Sequence, residues 1–432
     1  MEEPVIKIGI MSRDKQAFIL DGKYTVNGQA VSGGQTLTFD AGKIRWNGGL
    51  CNELLFVPDA PESTFVLKDV TIGINFHWER NEDQRFQGAL KFIVEAQAVT
   101  AVNIIAVESY LTSVIASEMS SAASLELLKA HAVISRSWLL AQIEKSKTVE
   151  EKQRNAGFVE TAERRIRWYD REDHHNFDVC ADDHCQRYQG VSRAFENIEQ
   201  VKKALASTRG EVLCSEGKIC DARFGKCCGG MVEEFESCWE DTHIPYLVKV
   251  RDDADTASSP DLTDDAEAEK WIREHPSAFC NTTDKKALAQ VLNNYDYETA
   301  DFYRWTVSYS AEELSELVKR RSGIDFGTIL DLIPVKRGVS ARIVELKIAG
   351  TKKTMIVGKE LEIRRFLSES HLYSSAFYVE KQDGRFVLHG AGWGHGAGLC
   401  QIGAAVMGEK GYTYDKILLH YYKGVELKKW YE

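Results

Sequence analysis

No stretch of this 432-residue chain approaches the roughly 20 consecutive apolar residues that a membrane-spanning helix needs, so no transmembrane helix is expected. A basic excess is missing as well. Lysine and arginine number 54 against 65 acidic residues, for a formal net charge of -11, and no basic stripe is visible. That balance argues against nucleic acid as a partner, because polyanion binding leaves an electropositive footprint. The opening MEEPVIKIGIM shows neither the basic n-region nor the apolar h-region of a secretory leader, which keeps a cytoplasmic location open. No internal repeat stands out. Ten cysteines are too few over this length for a disulfide-stapled scaffold, and seven of them fall between 180 and 238, a clustering that favours metal binding or local thiol chemistry.

What is present is an ordinary globular balance, 44% hydrophobic and 28% charged, at a length that suits two or three domains. Short alternating segments such as VIKIGIM, TLTFDAGKIRW and GALKFIVEA, separated by Gly, Asn and Asp turns, make residues 1–100 a β-rich N-terminal region. Helical periodicity follows. Leu111, Val114 and Ile115 form one stripe, and Leu125, Leu128, Ala132 and Leu139 a second, capped near Ser124. The charged stretch 141–173 reads as a surface helical insertion, and 253–325, with runs KKALAQVLNNY and AEELSELVKRR, as a second helical one. Strands return at TILDLIPVKRG, ARIVELKIAG and KKTMIVG, and a final helix starts at Tyr414. The fold class expected is α+β: the β-rich region, then a mixed core split into 101–252 and 326–432 around the 253–325 insertion.

Four constellations carry chemistry. In HGAGWGHGAGLC, glycines alternate from 390 to 398, so an extended conformation would leave one face bare for a close approach, with Trp393 and His395 on the other. The competing reading is a tight glycine turn packed within a β core. Glu118 lies at i+7 from Leu111, on the apolar face of its helix. Burial there disfavours an ionised carboxylate, the environment a general acid requires, unless the residue frays out at the helix end. Lys129 and Arg136 share one face of the second helix, placed to meet either a carboxylate or a ligand; His131 beside them suits a structural role. His174, Cys180 and Cys185, with His175 and His184 close by, offer the thiolates and imidazole of a tetrahedral zinc site, spaced more loosely than a C-x-x-C pair. The vicinal Cys227 and Cys228, with Cys214, Cys220 and Cys238 nearby in sequence, suggest a further thiol cluster.

Taken in order, several segments resemble the SpoIID/LytB family of peptidoglycan proteins. VESYLTSVIASEMSSAASLELLKAHAVISRSW is similar to the family's helix pair and HCQRYQG to its Cys-Gln-Tyr segment. FGKCCGGMVEEFESCWEDTHIPYLVKVRD matches the middle motif, and GWGHGAGLCQIGA with ILLHYYKG the C-terminal signature. The resemblance implies a lytic transglycosylase that cleaves the MurNAc–GlcNAc β-1,4 bond of peptide-denuded glycan strands to leave 1,6-anhydro ends. It makes Glu118 the catalytic acid and base. It puts Lys129, Arg136, Gly229, Gly230, Tyr246, Trp393, His395 and Gln401 at the substrate, with His395 orienting rather than transferring protons, and His174, Cys180 and Cys185 on zinc, with His175 as the alternative imidazole. It also implies a cell-envelope location and, for relatives that enhance amidases, a non-catalytic glycan binder that stimulates a cell-wall amidase. The chain departs from the pattern at His131, where glutamine is usual, at Cys227 and Cys228, where serine and threonine are common, and at Cys400, a frequent serine.

Overall fold

The computed structural model describes residues 2–74, 79–120, 123–148, 157–169, 174–182, 185–191, 198–255, 259–291 and 301–432. The fold is α+β with a β-rich N-terminus. Ten strands between Val5 and Ala106 join the short strand Val179–Cys180 in one 11-stranded sheet. Along Lys15–Val26, alternate residues Gln16, Phe18 and Leu20 point inward, the period-2 pattern of a half-buried strand. Phe18, Phe56 and Phe92 pack edge-on and tilted at 4.9–6.0 Å at the centre of this sheet. Two of its features position the site. Val5–Arg13 takes Val179–Cys180 as a parallel partner, with Gly9 opposite Cys180. Strand Ala98–Ala106 then runs directly into helix α1, Val107–Glu118.

Helix α1 crosses α2, Leu125–Thr148, which begins as expected after Ser124, whose Oγ accepts the Leu127 N–H at 3.3 Å. Between Leu127 and Leu140 almost every residue of α2 is buried, so this helix is the axis of the core and has no basic solvent face. Helix α3, Ile198–Ser207, packs on both. The chain later returns to close this core with α8, Gln401–Glu409, α9, Tyr414–Tyr421, and strand Glu426–Lys429, which pairs antiparallel with Glu211–Ser215.

Between these two passes the chain builds a second core. Before it, α4, Asp265–Glu274, packs in a small cluster with Met231, Ala376 and Ala391, and α5, Lys285–Leu288, packs on α8 of the first core. Strand Arg304–Ser310 pairs along its whole length with Arg385–Ala391, which in turn pairs with Phe377–Gln382. Within 253–325, strand Arg304–Ser310 thus stands beside the helices read from the sequence and is a partner of the glycine-rich segment. The end of KKALAQVLNNY lies outside the described residues. Helix α6, Ala311–Ser322, is delimited by a capping box between Ser310 and Glu313 and by Gly323 in the left-handed region, the start and stop chemistry expected of such a sequence. With α7, Glu360–Phe366, it covers the expected strands Ile329–Arg337, Ile343–Gly350 and Thr354–Gly358.

The charged stretch 141–173 also departs from the helical reading. Phe158–Glu160 and Arg164–Arg167 form a hairpin that joins the second core parallel to Thr354–Gly358. Ile166 enters that core while Arg165 meets the buried Glu362 at 2.8 Å, so the alternation is that of a strand. Among the described residues no helix is long and apolar enough to cross a membrane.

Candidate functional site

Glu118 ends α1, half-buried, on the side of the helix that faces residues 180–188. Its Oε1 accepts the Arg187 N–H at 3.3 Å. The segment that supplies this donor is tied down along its length. Ala181 donates to Gly9 O and Tyr188 to Ala181 O, at 2.9 and 3.0 Å. The Tyr188 hydroxyl donates to Asn103 at 2.6 Å, and Tyr110 stacks on Tyr188 at 5.0 Å. Burial raises the Tyr110 phenol well above its usual value, and the adjoining Cys185, Cys180, Tyr188 and Glu118 add to this. The carboxylate is thus half-buried at the end of α1 and held by the main chain of a fixed segment.

The same segment gathers the predicted ligands. One donor atom each of His174, Cys180 and Cys185 lies within 4.8 Å of the others, and His174 Nε2 stands 3.5 Å from Cys185 Sγ. A tetrahedral ion with Zn–S near 2.3 Å and Zn–N near 2.05 Å would set that edge at about 3.6 Å, so the donor set fits zinc. His174 is the imidazole that converges; His175 is exposed, and His184 lies outside the described residues. Phe177 orients the group by stacking on His174 at 4.6 Å and lying flat on Gly9, where any Cβ would come within 2.5 Å of its ring.

The glycine segment follows the second of its two readings. Gly392, Gly394, Gly396 and Gly398 all have φ between 73° and 91°, so beyond strand Arg385–Ala391 the chain coils instead of extending. The protein itself makes the close approaches. A Cβ at Gly390 would meet the Trp305 indole at 2.0 Å, at Gly396 the Arg342 guanidinium at 2.3 Å and at Gly398 the Arg223 carbonyl at 1.8 Å; only Gly394 faces open space. Arg342, wholly buried, donates to Gly394 O at 3.0 Å and to Cys228 O at 3.1 Å. Glu233, also wholly buried, accepts from Val339 N, Ser340 N and Ser340 Oγ. Neither residue sits in a pattern that sequence reading would single out, yet they clamp the glycine coil to the second core.

His395 is caught in the coil: Nε2 donates to Phe224 O at 2.9 Å while Nδ1 accepts Ala397 N–H at 3.1 Å. Burial, then the cations Arg223, Arg342 and Arg364, depress it to about 3. His131 is depressed to about 3 as well, by burial and then Lys226, and spans Ser135 and Gln401 at 3.2 Å each. Both imidazoles are neutral near pH 7 with their ring nitrogens engaged, so neither is set to shuttle protons.

The remaining predicted residues distribute as follows. Trp393 is half-buried between Phe302 and Tyr373, both at 4.6 Å. Gln401 is buried against His131, and Tyr246 is half-buried, its hydroxyl accepting the Asp221 N–H at 2.9 Å. Gly229 and Gly230 are interior, packed on Gly392 and on Trp271 with Tyr303. Lys129 pairs with Glu126 at 2.7 Å. Arg136, wholly buried, forks onto Glu108 at 2.8 and 2.9 Å and donates to Glu211 O. Both of the cations singled out on α2 therefore meet carboxylates. Of the cysteines read together, Cys214 and Cys220 lie along the Glu211–Ser215 hairpin and Cys238 under the His395 carbonyl, whereas Cys228 meets Cys280 and Cys400.

The corner after α1 and the glycine coil are joined through one short piece of chain. Ser120 and Ser124 donate to the Gln290 main chain and side chain, while Lys226 Nζ donates to Val291 O at 2.6 Å. The acid-bearing helix and the motif around Phe224 and His395 are thereby held in one assembly.

Comparison with known proteins agrees with this architecture. The Stage II sporulation protein family matches residues 95–214, covering α1, α2 and the His174–Cys185 segment. A domain of unknown function, DUF8618, matches 233–398, which includes the second core. A stage II sporulation protein D of Bacillus amyloliquefaciens is 24% identical over 331 residues, 76% of each chain. An uncharacterised protein of Brachyspira hyodysenteriae is 25% identical over 79% of this chain and 72% of its own. An amidase enhancer of Bacillus subtilis is 26% identical over 242 residues, 52% of this chain but only 32% of the enhancer. Residues 95–214 thus carry a Stage II sporulation protein domain, and relatives named for that protein and for amidase enhancement support a place in the SpoIID/LytB family.

Proposed function

We propose that this protein is a peptidoglycan lytic transglycosylase with Glu118 as its one acid and base. The coarser reading, a cell-wall-related role, is supported by the family match and by relatives named for sporulation stage II and for amidase enhancement. The finer one rests on Glu118: a half-buried carboxyl at the end of α1, held by the Arg187 main-chain N–H beside the His174–Cys185 segment. One carboxyl suffices when the substrate carries its own nucleophile. Glu118 protonates the glycosidic oxygen, the C1–O bond breaks through an oxocarbenium-like state, and the muramic 6-hydroxyl oxygen bonds to C1 while returning its proton to Glu118. No water is consumed, and the product is a 1,6-anhydro end.

Zinc held by His174, Cys180 and Cys185 would fix the segment that carries Arg187. His395 and Trp393 serve as a neutral, rigid wall for the glycan, together with Tyr246. The amidase-enhancer relative favours a second reading, a glycan binder that stimulates a cell-wall amidase; such a protein has no need of an acid at position 118. Mass spectrometry of denuded glycan strands digested by the full chain separates the two. Anhydro-ended fragments are expected from the wild type and none from Glu118→Gln. Reducing ends alone, or unchanged products from the variant, would overturn the assignment.

A further inference from the structure

Four buried groups that this reaction does not use converge inside the first core, whose buried side chains include Cys228, Cys280 and Cys400. Cys228, Asp252, Cys280 and Cys400 are each at most 3% exposed, and one donor atom from each lies within 4.8 Å of the other three. They come from four separate places: the turn before Gly229, the residue after strand Val250–Arg251, the loop between α4 and α5, and the N-cap of α8. Nothing local in the sequence brings them together, so the fold has to.

The arrangement is organised as a ligand shell. Cys228 and Cys280 Sγ stand 3.7 Å apart, close to the edge of about 3.8 Å between two thiolates on a tetrahedral zinc with Zn–S of 2.3 Å and far from the roughly 2.05 Å of a disulfide. Asp252 is aimed by the Tyr421 hydroxyl, which donates to Oδ1 at 2.6 Å, and by the Cys280 N–H, which donates to Oδ2 at 2.9 Å. The Cys228 N–H points at Cys400 Sγ at 3.3 Å. Such outer hydrogen bonds are what orient the ligands of a metal. Both donors to Asp252 are uncharged. Among the described residues no cationic side chain pairs with this wholly buried carboxylate beside three thiols, and buried charges of this kind are paired or coordinate a metal.

The geometry points to a second metal site, in which the Cys228, Cys280 and Cys400 thiolates and the Asp252 carboxylate bind one zinc ion. Three sulfurs select a soft or borderline ion over magnesium or calcium. Their mutual closeness suits a single ion, whereas the thiolates of an iron–sulfur cluster are spread over several irons. Four protein ligands and complete burial leave no position for substrate, which makes the site structural. All three cysteines belong to the first core, so the ion ties the loop between α4 and α5 to Asp252 and to the start of α8 and acts as a staple within that core, next to the glycine coil.

The test is metal content of the full-length chain, and it is independent of any glycan activity. A Cys180→Ser, Cys185→Ser variant removes the other thiolates, and it is expected to keep one equivalent of zinc; adding Cys280→Ser and Cys400→Ser should bring this to zero. A Cys180→Ser, Cys185→Ser protein with no zinc, or zinc that survives all four substitutions, would overturn the site. So would a Cys228–Cys280 disulfide found by peptide mass mapping after alkylation of the native protein without reductant. Should the fourfold variant fail to fold, cobalt(II) loaded into the Cys180→Ser, Cys185→Ser protein decides the question. Tetrahedral cobalt bands with a three-thiolate charge-transfer transition are expected, and an octahedral spectrum without that transition refutes the proposal.

Discussion

Removing the carboxylate from Glu108 tests the claim that Arg136 is a part of the architecture. Glu108 accepts both arms of the Arg136 guanidinium at 2.8 and 2.9 Å, the Tyr431 hydroxyl at 2.6 Å and the Gly210 N–H at 3.2 Å. Arg136 has no exposed surface at all. Glu108→Ala strands a full positive charge in that interior, and breaking a buried pair from one side typically costs about 3–5 kcal/mol. Replacing both residues with apolar ones of similar volume, Glu108→Leu with Arg136→Met, removes the stranded charge. It should recover most of the loss, because the desolvation of both ions is no longer required. Chemical denaturation followed by far-UV circular dichroism and by tryptophan fluorescence would measure this, the two probes being needed because two cores need not unfold together. A loss below about 1 kcal/mol for Glu108→Ala, the range of an exposed ion pair, would refute the assignment. A double variant that is no better than the single ones would refute it too. Glycan affinity of Arg136→Met measured under folded conditions should be unchanged.

Acid should destabilise the protein through its neutral histidines. His131 and His395 have folded pKa values of about 3, below the 6.5 of an unfolded histidine, so between these limits the unfolded chain binds more protons and is favoured as pH falls. Stability is unaffected by these groups above pH 6.5 and declines below it. At pH 5 each contributes a loss of about 2 kcal/mol; His131→Gln should flatten the decline between pH 6.5 and 5 in urea titrations, and an unchanged slope would count against it. Within the glycine coil, Gly398→Ala should abolish folding of the region because its Cβ would lie 1.8 Å from a main-chain oxygen, whereas Gly394→Ala meets open space. The latter should cost only the roughly 1–2 kcal/mol of a left-handed residue. Similar melting temperatures for the two variants would contradict the packing described.

Local signals were readable in the sequence wherever one segment holds all the needed atoms. Ser124 and the stripe after it mark α2, the Ser310–Glu313 box marks α6, and the spacing from His174 to Cys185 brings three ligands together because a single short strand and turn contain them. The period-2 glycines were harder to interpret. Alternation predicts a strand, but four positive φ angles in succession can only be inferred once Arg342 and the Arg223 carbonyl are seen to occupy the space where side chains would be. Arg136 on a helical face looks solvated until helices and strands from residues 198–215 and 399–431 surround α2. Cys228 and Cys400 depart from the family pattern, which is a visible signal. Cys280, 120 residues before Cys400 and in no motif, has none, and only the fold connects them.

The closing of the first core has a consequence for biosynthesis. Residues 399–431 cover α2, and the Tyr431 hydroxyl reaches Glu108 across 323 positions of sequence. A nascent chain can assemble its N-terminal sheet early, since every pairing there except that of Val179–Cys180 lies within residues 5–106. Helix α2 emerges soon afterwards and can meet α1, α3 and Glu211–Ser215 early, but the side that α8 and α9 cover stays open until residues 401–421 are made. Contacts so distant form slowly and leave the intermediate prone to self-association. The second core, which folds from residues lying between the two halves of the first, would be complete before its host. During translation it is therefore one face of α2, the face later covered by α8 and α9, that stays open to association with other chains.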